Sequence, residues 1–96
     1  MDAPKYFILL ALAAGPLHGL AIRGQVIADT VGEYIRDSTL YPALKQLLER
    51  GWIAEQANGY RRVYALTAAG QQALAHEARA RQRLAELTLQ RLRMHV

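Results

Sequence analysis

The hydrophobic pattern divides this chain into five segments. An almost unbroken apolar run, Tyr6 to Ala14, follows Pro4. Proline is tolerated in the first turn of a helix, where its missing N–H has no partner to lose. The pattern therefore predicts a helix from about Pro4 to Ala14. It is apolar nearly all round, which places it in a core. Gly15-Pro16 ends it. A second helix is expected from about Gly19 to Thr30, with Ile22, Val26 and Ile27 facing inward. Val31-Gly32 breaks it, and Glu33 to Arg36 reads as a short extended piece.

A third helix starts near Ser38 and ends at Gly51. Leu40, Leu44, Leu47, Leu48 and Gly51 form one stripe at helical period. Ser38, Thr39, Pro42, Gln46 and Glu49 face mostly away from it. If Thr39 is the N-cap, Pro42 falls in the first turn; if Ser38 is the cap, one backbone hydrogen bond is lost. Two β-rich runs follow, Trp52 to Ala57 and Tyr60 to Leu66. Asn58-Gly59 lies between them as a hairpin signal, since a type I′ turn needs positive φ at both central residues. Tyr64 and Leu66 share one face of the second run. Thr67 then caps a final helix from Ala68 to about Arg93, roughly 39 Å long at 1.5 Å per residue. That exceeds what a small domain can cover. Leu74, Ala78, Ala85, Leu89 and Leu92 form a partial apolar stripe on it, with Leu84 and Leu87 beside it; Arg81 and Thr88 interrupt the stripe. Its distal half is expected to pack on a second copy of the chain.

Composition narrows the reading only modestly. At 96 residues, 52% of them hydrophobic, the chain suits one folded domain that a partner subunit helps stabilise. The absence of cysteine removes disulfides and thiolate chemistry. It is compatible with a reducing, cytoplasmic location. The run Tyr6–Ala14 is too short to span a bilayer, and Asp2 spoils a positive leader before it, so a buried helix is the expected reading rather than a secretion signal. The formal net charge of +4 suits a polyanionic partner without requiring one.

Element order carries more. Three helices, a hairpin with basic residues beside its tip and a long helix make a mainly α winged helix-turn-helix. Residues 1–67 form the expected DNA-binding domain and residues 68–96 the dimerisation helix. In that arrangement the third helix enters the major groove. Ser38, Thr39 and Gln46 offer hydroxyl and amide groups to bases, and Tyr41 and Lys45 flank them. Tyr60, Arg61 and Arg62 sit on the wing, where the guanidinium groups can meet phosphates. Asp37 and Glu49 oppose this by repelling phosphate, although Asp37 is favoured at a helix N-terminus. His18, His76 and His95 lack metal-ligand spacing, and no nucleophile motif or phosphate loop is present. Neither an enzyme nor a cofactor is expected. His18, between two helices, reads as a structural or capping residue, and Trp52 as core packing.

The chain also resembles the PadR family of bacterial transcriptional regulators. The resemblance lies in Ile8-Leu9-Leu10-Ala11-Leu12-Ala13, Gly15-Pro16-Leu17-His18-Gly19, Ser38-Thr39-Leu40-Tyr41-Pro42-Ala43-Leu44, Leu48-Glu49-Arg50-Gly51-Trp52-Ile53 and Tyr64-Ala65-Leu66-Thr67-Ala68-Ala69-Gly70. Thr-Leu-Tyr-Pro-Ala-Leu is the most specific block. The resemblance implies a winged-helix homodimer, joined through a single C-terminal helix as in the shorter branch of the family. It implies repression at a palindromic operator in double-stranded DNA, with release by a small-molecule effector or another signal. It also makes Thr39, Tyr41, Arg61 and Arg62 the leading DNA-contact candidates. Asp37-Ser38 departs from the Pro-Gly pair common before that threonine, and Leu20 from the aromatic common after His-Gly. The competing reading is a winged-helix module that binds protein rather than DNA.

Overall fold

The computed structural model describes residues 1–95 and, at Asn58, the backbone only. Its elements run α1 (Ala3–Ala13), β1 (Leu17–His18), α2 (Gly19–Asp29), α3 (Asp37–Glu49), β2 (Ile53–Asn58), β3 (Arg61–Leu66) and α4 (Ala68–Arg93). The three strands form an antiparallel sheet in the order β1-β3-β2. This is a winged helix, with β2 and β3 as the wing. No helix among the described residues is long and apolar enough to cross a membrane.

Three of these four helices start on a side-chain cap. Asp2 caps α1, accepting from the Lys5 N–H at 3.0 Å and pairing with Lys5 Nζ at 2.7 Å. Those Lys5 hydrogen bonds hold the Asp2 carboxyl below its usual range. His18 caps α2, its Nδ1 accepting from the Ala21 N–H at 3.4 Å. Thr67 caps α4, where its Oγ1 accepts from the Gly70 N–H at 3.0 Å and donates to the Gly51 carbonyl at 2.6 Å.

The core joins α1, α2, α3 and the sheet through Ile8, Leu9, Leu12, Ile22, Val26, Leu40, Leu44, Leu47, Ile53 and Tyr64. Trp52 and Leu74 are partly buried against it. The expectation that α1 lies wholly in the core is corrected: Leu10 and Ala13 face outward. With Tyr6, Leu66, Leu74 and Ala78 they line an open apolar groove between α1 and α4. Ile27, expected inside, is 40% exposed. Along α4, Arg81 lies 4.2 Å over the Tyr6 ring and pairs with Glu77 at 3.4 Å. Beyond that point Leu84, Leu89 and Leu92 are exposed. The molecule is accordingly elongated, 57 × 27 × 22 Å.

Glu33 to Arg36 joins no strand, and Arg36 has extended backbone (φ −69°, ψ 155°) at the entrance to α3. Two further local expectations are corrected. The α3 N-cap is Arg36, without a side-chain cap bond, rather than Ser38 or Thr39. The Thr39 and Leu40 amides both donate to the Arg36 carbonyl, so the helix begins earlier and Pro42 lies inside it. The Ser38 carbonyl therefore lacks the donor that any other residue at 42 would supply. The hairpin loop is Gly59-Tyr60 rather than Asn58-Gly59, because Asn58 pairs with Arg61. Gly59 has φ of 64° and Tyr60 is not in the positive-φ region, the pattern of a type II′ turn. Each β2 residue thereby changes partner by two places, which leaves both faces of the hairpin unchanged.

Candidate nucleic-acid interface

The outward face of α3 is set by helical geometry. Burial of Leu40, Ala43, Leu44 and Leu47 turns Ser38, Thr39, Tyr41, Lys45 and Gln46 to the surface, and all five are exposed. They do not form one cluster. Ser38, Thr39 and Gln46 line a concavity of about 240 Å³ against the start of α1, with Pro4 and Lys5 on its other wall. Tyr41 looks the other way. Together with His18, Gly19, Leu20, Arg61, Arg62 and Tyr64 it lines a concavity of about 310 Å³ between the start of α2 and the wing. Lys45 stands exposed on the outward face of α3, and Tyr60 is fully exposed at the wing tip.

Charge is unevenly compensated over this surface. Asp37, an objection to DNA binding on sequence grounds, is paired with Arg23 of α2. The same Arg23 donates to the Ile35 carbonyl at 2.8 Å and stacks 5.0 Å from the centre of the Tyr34 ring. It thus ties the irregular segment and the first turn of α3 to α2. Arg62 Nε lies 3.1 Å from Glu55 Oε1, across the wing. Arg61, next to it in the strand, also lines the concavity between the start of α2 and the wing. Among the described residues no carboxylate lies within 4 Å of Arg61, Lys45 or Arg36. Below the wing, burial pushes the Tyr64 hydroxyl pKa up, and the nearby Glu55 carboxylate adds to that shift.

Two participants were not visible as such in the sequence. Arg36 is an exposed cation at the entrance to α3. His18 is the expected cap, but it also contacts the wing, its Nε2 lying 3.4 Å from Arg61 Nη1. The contact follows from β1 pairing His18 with Val63, two residues from Arg61 on the same face. A two-residue strand carries too little pattern to announce itself.

The family model described as the transcriptional regulator PadR-like family matches residues 8–76. The chain belongs to that family. The match covers the second half of α1, all of α2 and α3, the wing and the first third of α4. A PadR family transcription regulator from Clostridium difficile has the same fold, with a TM-score of 0.83 at 22% identity over 95% of this chain and 99% of that one. Bacillus subtilis PadR, solved in complex with operator DNA, is 28% identical, with a TM-score of 0.67 over 80% of this chain and 47% of that one. A protein in transposon TN4556 of Streptomyces fradiae is 37% identical over 81 residues. The PadR-like chain described here spans 23% of that relative's length.

Proposed function

We propose that this PadR-like regulator represses transcription as a homodimer on a palindromic operator and is released by a small molecule or another signal. The observation that carries the reading is the exposed face of α3, flanked on one side by the start of α2 and the wing and on the other by the start of α1. On it the acidic Asp37 is neutralised by Arg23, while Lys45 and Arg61 have no carboxylate partner among the described residues. Ser38, Thr39, Tyr41, Lys45 and Gln46 face the major groove in this reading, and Tyr60, Arg61 and Arg62 contact the backbone. The operator complex of the Bacillus subtilis relative supports DNA as the partner.

Dimerisation is assigned to α4. Leu74 and Ala78 lie along the groove shared with α1, and Leu84, Ala85, Leu87, Leu89 and Leu92 lie farther along the helix. Exposed leucines on a helix that outruns its own domain suit a second copy. Residues 1–67 are then the DNA-reading unit and 68–96 the joining helix. Two-fold symmetry places half-sites about one helical turn, 34–36 Å, apart.

The test is a gel shift against the DNA upstream of the protein's own coding region, with light scattering for the oligomeric state. Replacing both Arg61 and Arg62 by alanine is expected to weaken binding to every sequence and to flatten its salt dependence. Failure of the parent protein to retain any DNA at low salt overturns the reading in favour of a protein-binding module.

A further inference from the structure

We propose that His18 and Arg61 together grip one non-bridging oxygen of a DNA backbone phosphate, at the junction of α2 and the wing. The inference rests on the DNA-binding reading above and adds to it a residue outside α3 and the wing. His18 Nδ1 accepts the Ala21 N–H, so that nitrogen carries no proton. In the neutral ring the proton is then on Nε2, which is a donor. Nε2 faces Arg61 Nη1 at 3.4 Å, and a guanidinium nitrogen only donates. In that tautomer two donors meet with no acceptor between them. Moving the ring proton to Nδ1 would satisfy Arg61 at the cost of the α2 cap. Protonating both nitrogens would lose the cap and add a second positive charge.

An anionic oxygen resolves the conflict, because it accepts from both donors at once and pairs with the guanidinium charge. No protein carboxylate among the described residues fills that role: Glu55 is engaged by Arg62, across the wing. The Tyr41 hydroxyl stands on the same concavity, with its ring against Gly19, and offers a third donor from α3. The concavity is open to solvent and lies between α3 and the wing. That place suits a phosphate on a duplex whose groove holds α3 better than it suits an enclosed small anion.

The test is a double-mutant cycle on operator binding with His18→Asn, Arg61→Gln and the pair. Asparagine retains a good helix cap, so His18→Asn removes the ring donor while keeping α2; thermal unfolding checks that the fold is intact. Each single variant is expected to lose affinity by roughly tenfold, the scale of a hydrogen bond to a charged group. The loss is equal on operator and random DNA, since a phosphate carries no sequence. Arg61→Gln lowers the salt slope by about one and His18→Asn leaves it unchanged. Once Arg61 is gone, His18→Asn costs less than twofold. A scan of single neutral methylphosphonates through the operator locates the same phosphate in each half-site for both variants. Unchanged affinity of a folded His18→Asn protein overturns the proposal while leaving DNA binding intact. So do independent, additive losses, or methylphosphonate effects at two different phosphates. A parent protein that binds no DNA overturns both readings together.

Discussion

Replacing Gly70 by alanine sets a helix preference against a backbone collision. In an open helix interior alanine is favoured over glycine by about 1 kcal/mol. At Gly70 a Cβ would stand 1.9 Å from the Trp52 carbonyl oxygen and 2.8 Å from Leu66 Cδ1, where real Cβ contacts stay above 3.0 Å. The first turn of α4 must therefore move by at least about 1 Å. The same Trp52 oxygen accepts the Thr67 N–H at 3.1 Å, and Thr67 Oγ1 donates to Gly51 at 2.6 Å. Each of those bonds is worth about 0.5–1.5 kcal/mol. Overpacking of a tight contact costs about 1–3 kcal/mol more. After the helix preference is returned, Gly70→Ala is expected to destabilise by about 3 kcal/mol. At about 4–8 °C per kcal/mol for a domain of this size, Tm falls by roughly 12–24 °C. Gly24→Ala is the internal control: no heavy atom lies within 4 Å of its new Cβ, so it should stabilise by about 0.5–1 kcal/mol. Circular dichroism melts at one fixed protein concentration, which holds any association constant, measure both. A Gly70→Ala protein that melts at or above the parent refutes the reasoning.

Arg23→Ala is expected to lower operator affinity several-fold, because it frees Asp37 on the proposed DNA face and unties the start of α3; adding Asp37→Asn should recover part of the loss. If Arg23→Ala alone leaves affinity unchanged in a gel shift, the tie has no part in presenting α3. Asp2 has a folded-state pKa below its unfolded value, so its contribution to stability is full above about pH 4 and vanishes as pH falls through the lowered value. Asp2→Asn, which keeps a capping oxygen, should lose less stability than the parent between about pH 5 and pH 2; because Asp2 is 54% exposed the difference is small. Parallel acid-unfolding curves would contradict it. Leu84→Glu combined with Leu89→Glu should convert a dimer to a monomer by light scattering, and an unchanged mass places the subunit contact elsewhere.

The sequence made the architecture legible where periodicity was long. The stripe of Leu40, Leu44 and Leu47 identified α3, and Thr67 marked the first turn of α4. Small units escaped it. The strand Leu17–His18 is paired through β3, a contact between distant parts of the chain that no local pattern encodes. The hairpin loop was misplaced by one residue because Asn-Gly is read as a I′ turn, whereas glycine in the first loop position satisfies II′ with only one positive φ. The start of α3 was placed too late because Ser38 and Thr39 are good caps in isolation. The bond from Arg23 to Ile35 and its pairing with Asp37 hold the chain helical from Asp37 onward, and neither is a local signal. For the candidate site, residue types on α3 and the wing were readable, but their division into two concavities on opposite sides of α3 was not. That division depends on where the start of α2 and the start of α1 come to rest.

The seam between Gly70 and the Trp52 backbone is also the point from which α4 projects beyond the domain. There α4 touches main chain at the root of the wing, and beyond it the helix extends for most of its roughly 39 Å. A tilt of about 5° at the seam swings the far end by on the order of 3 Å for a rod of that length. If α4 joins two copies, as proposed, the same lever turns any such tilt into a displacement of a few ångströms between their two wings.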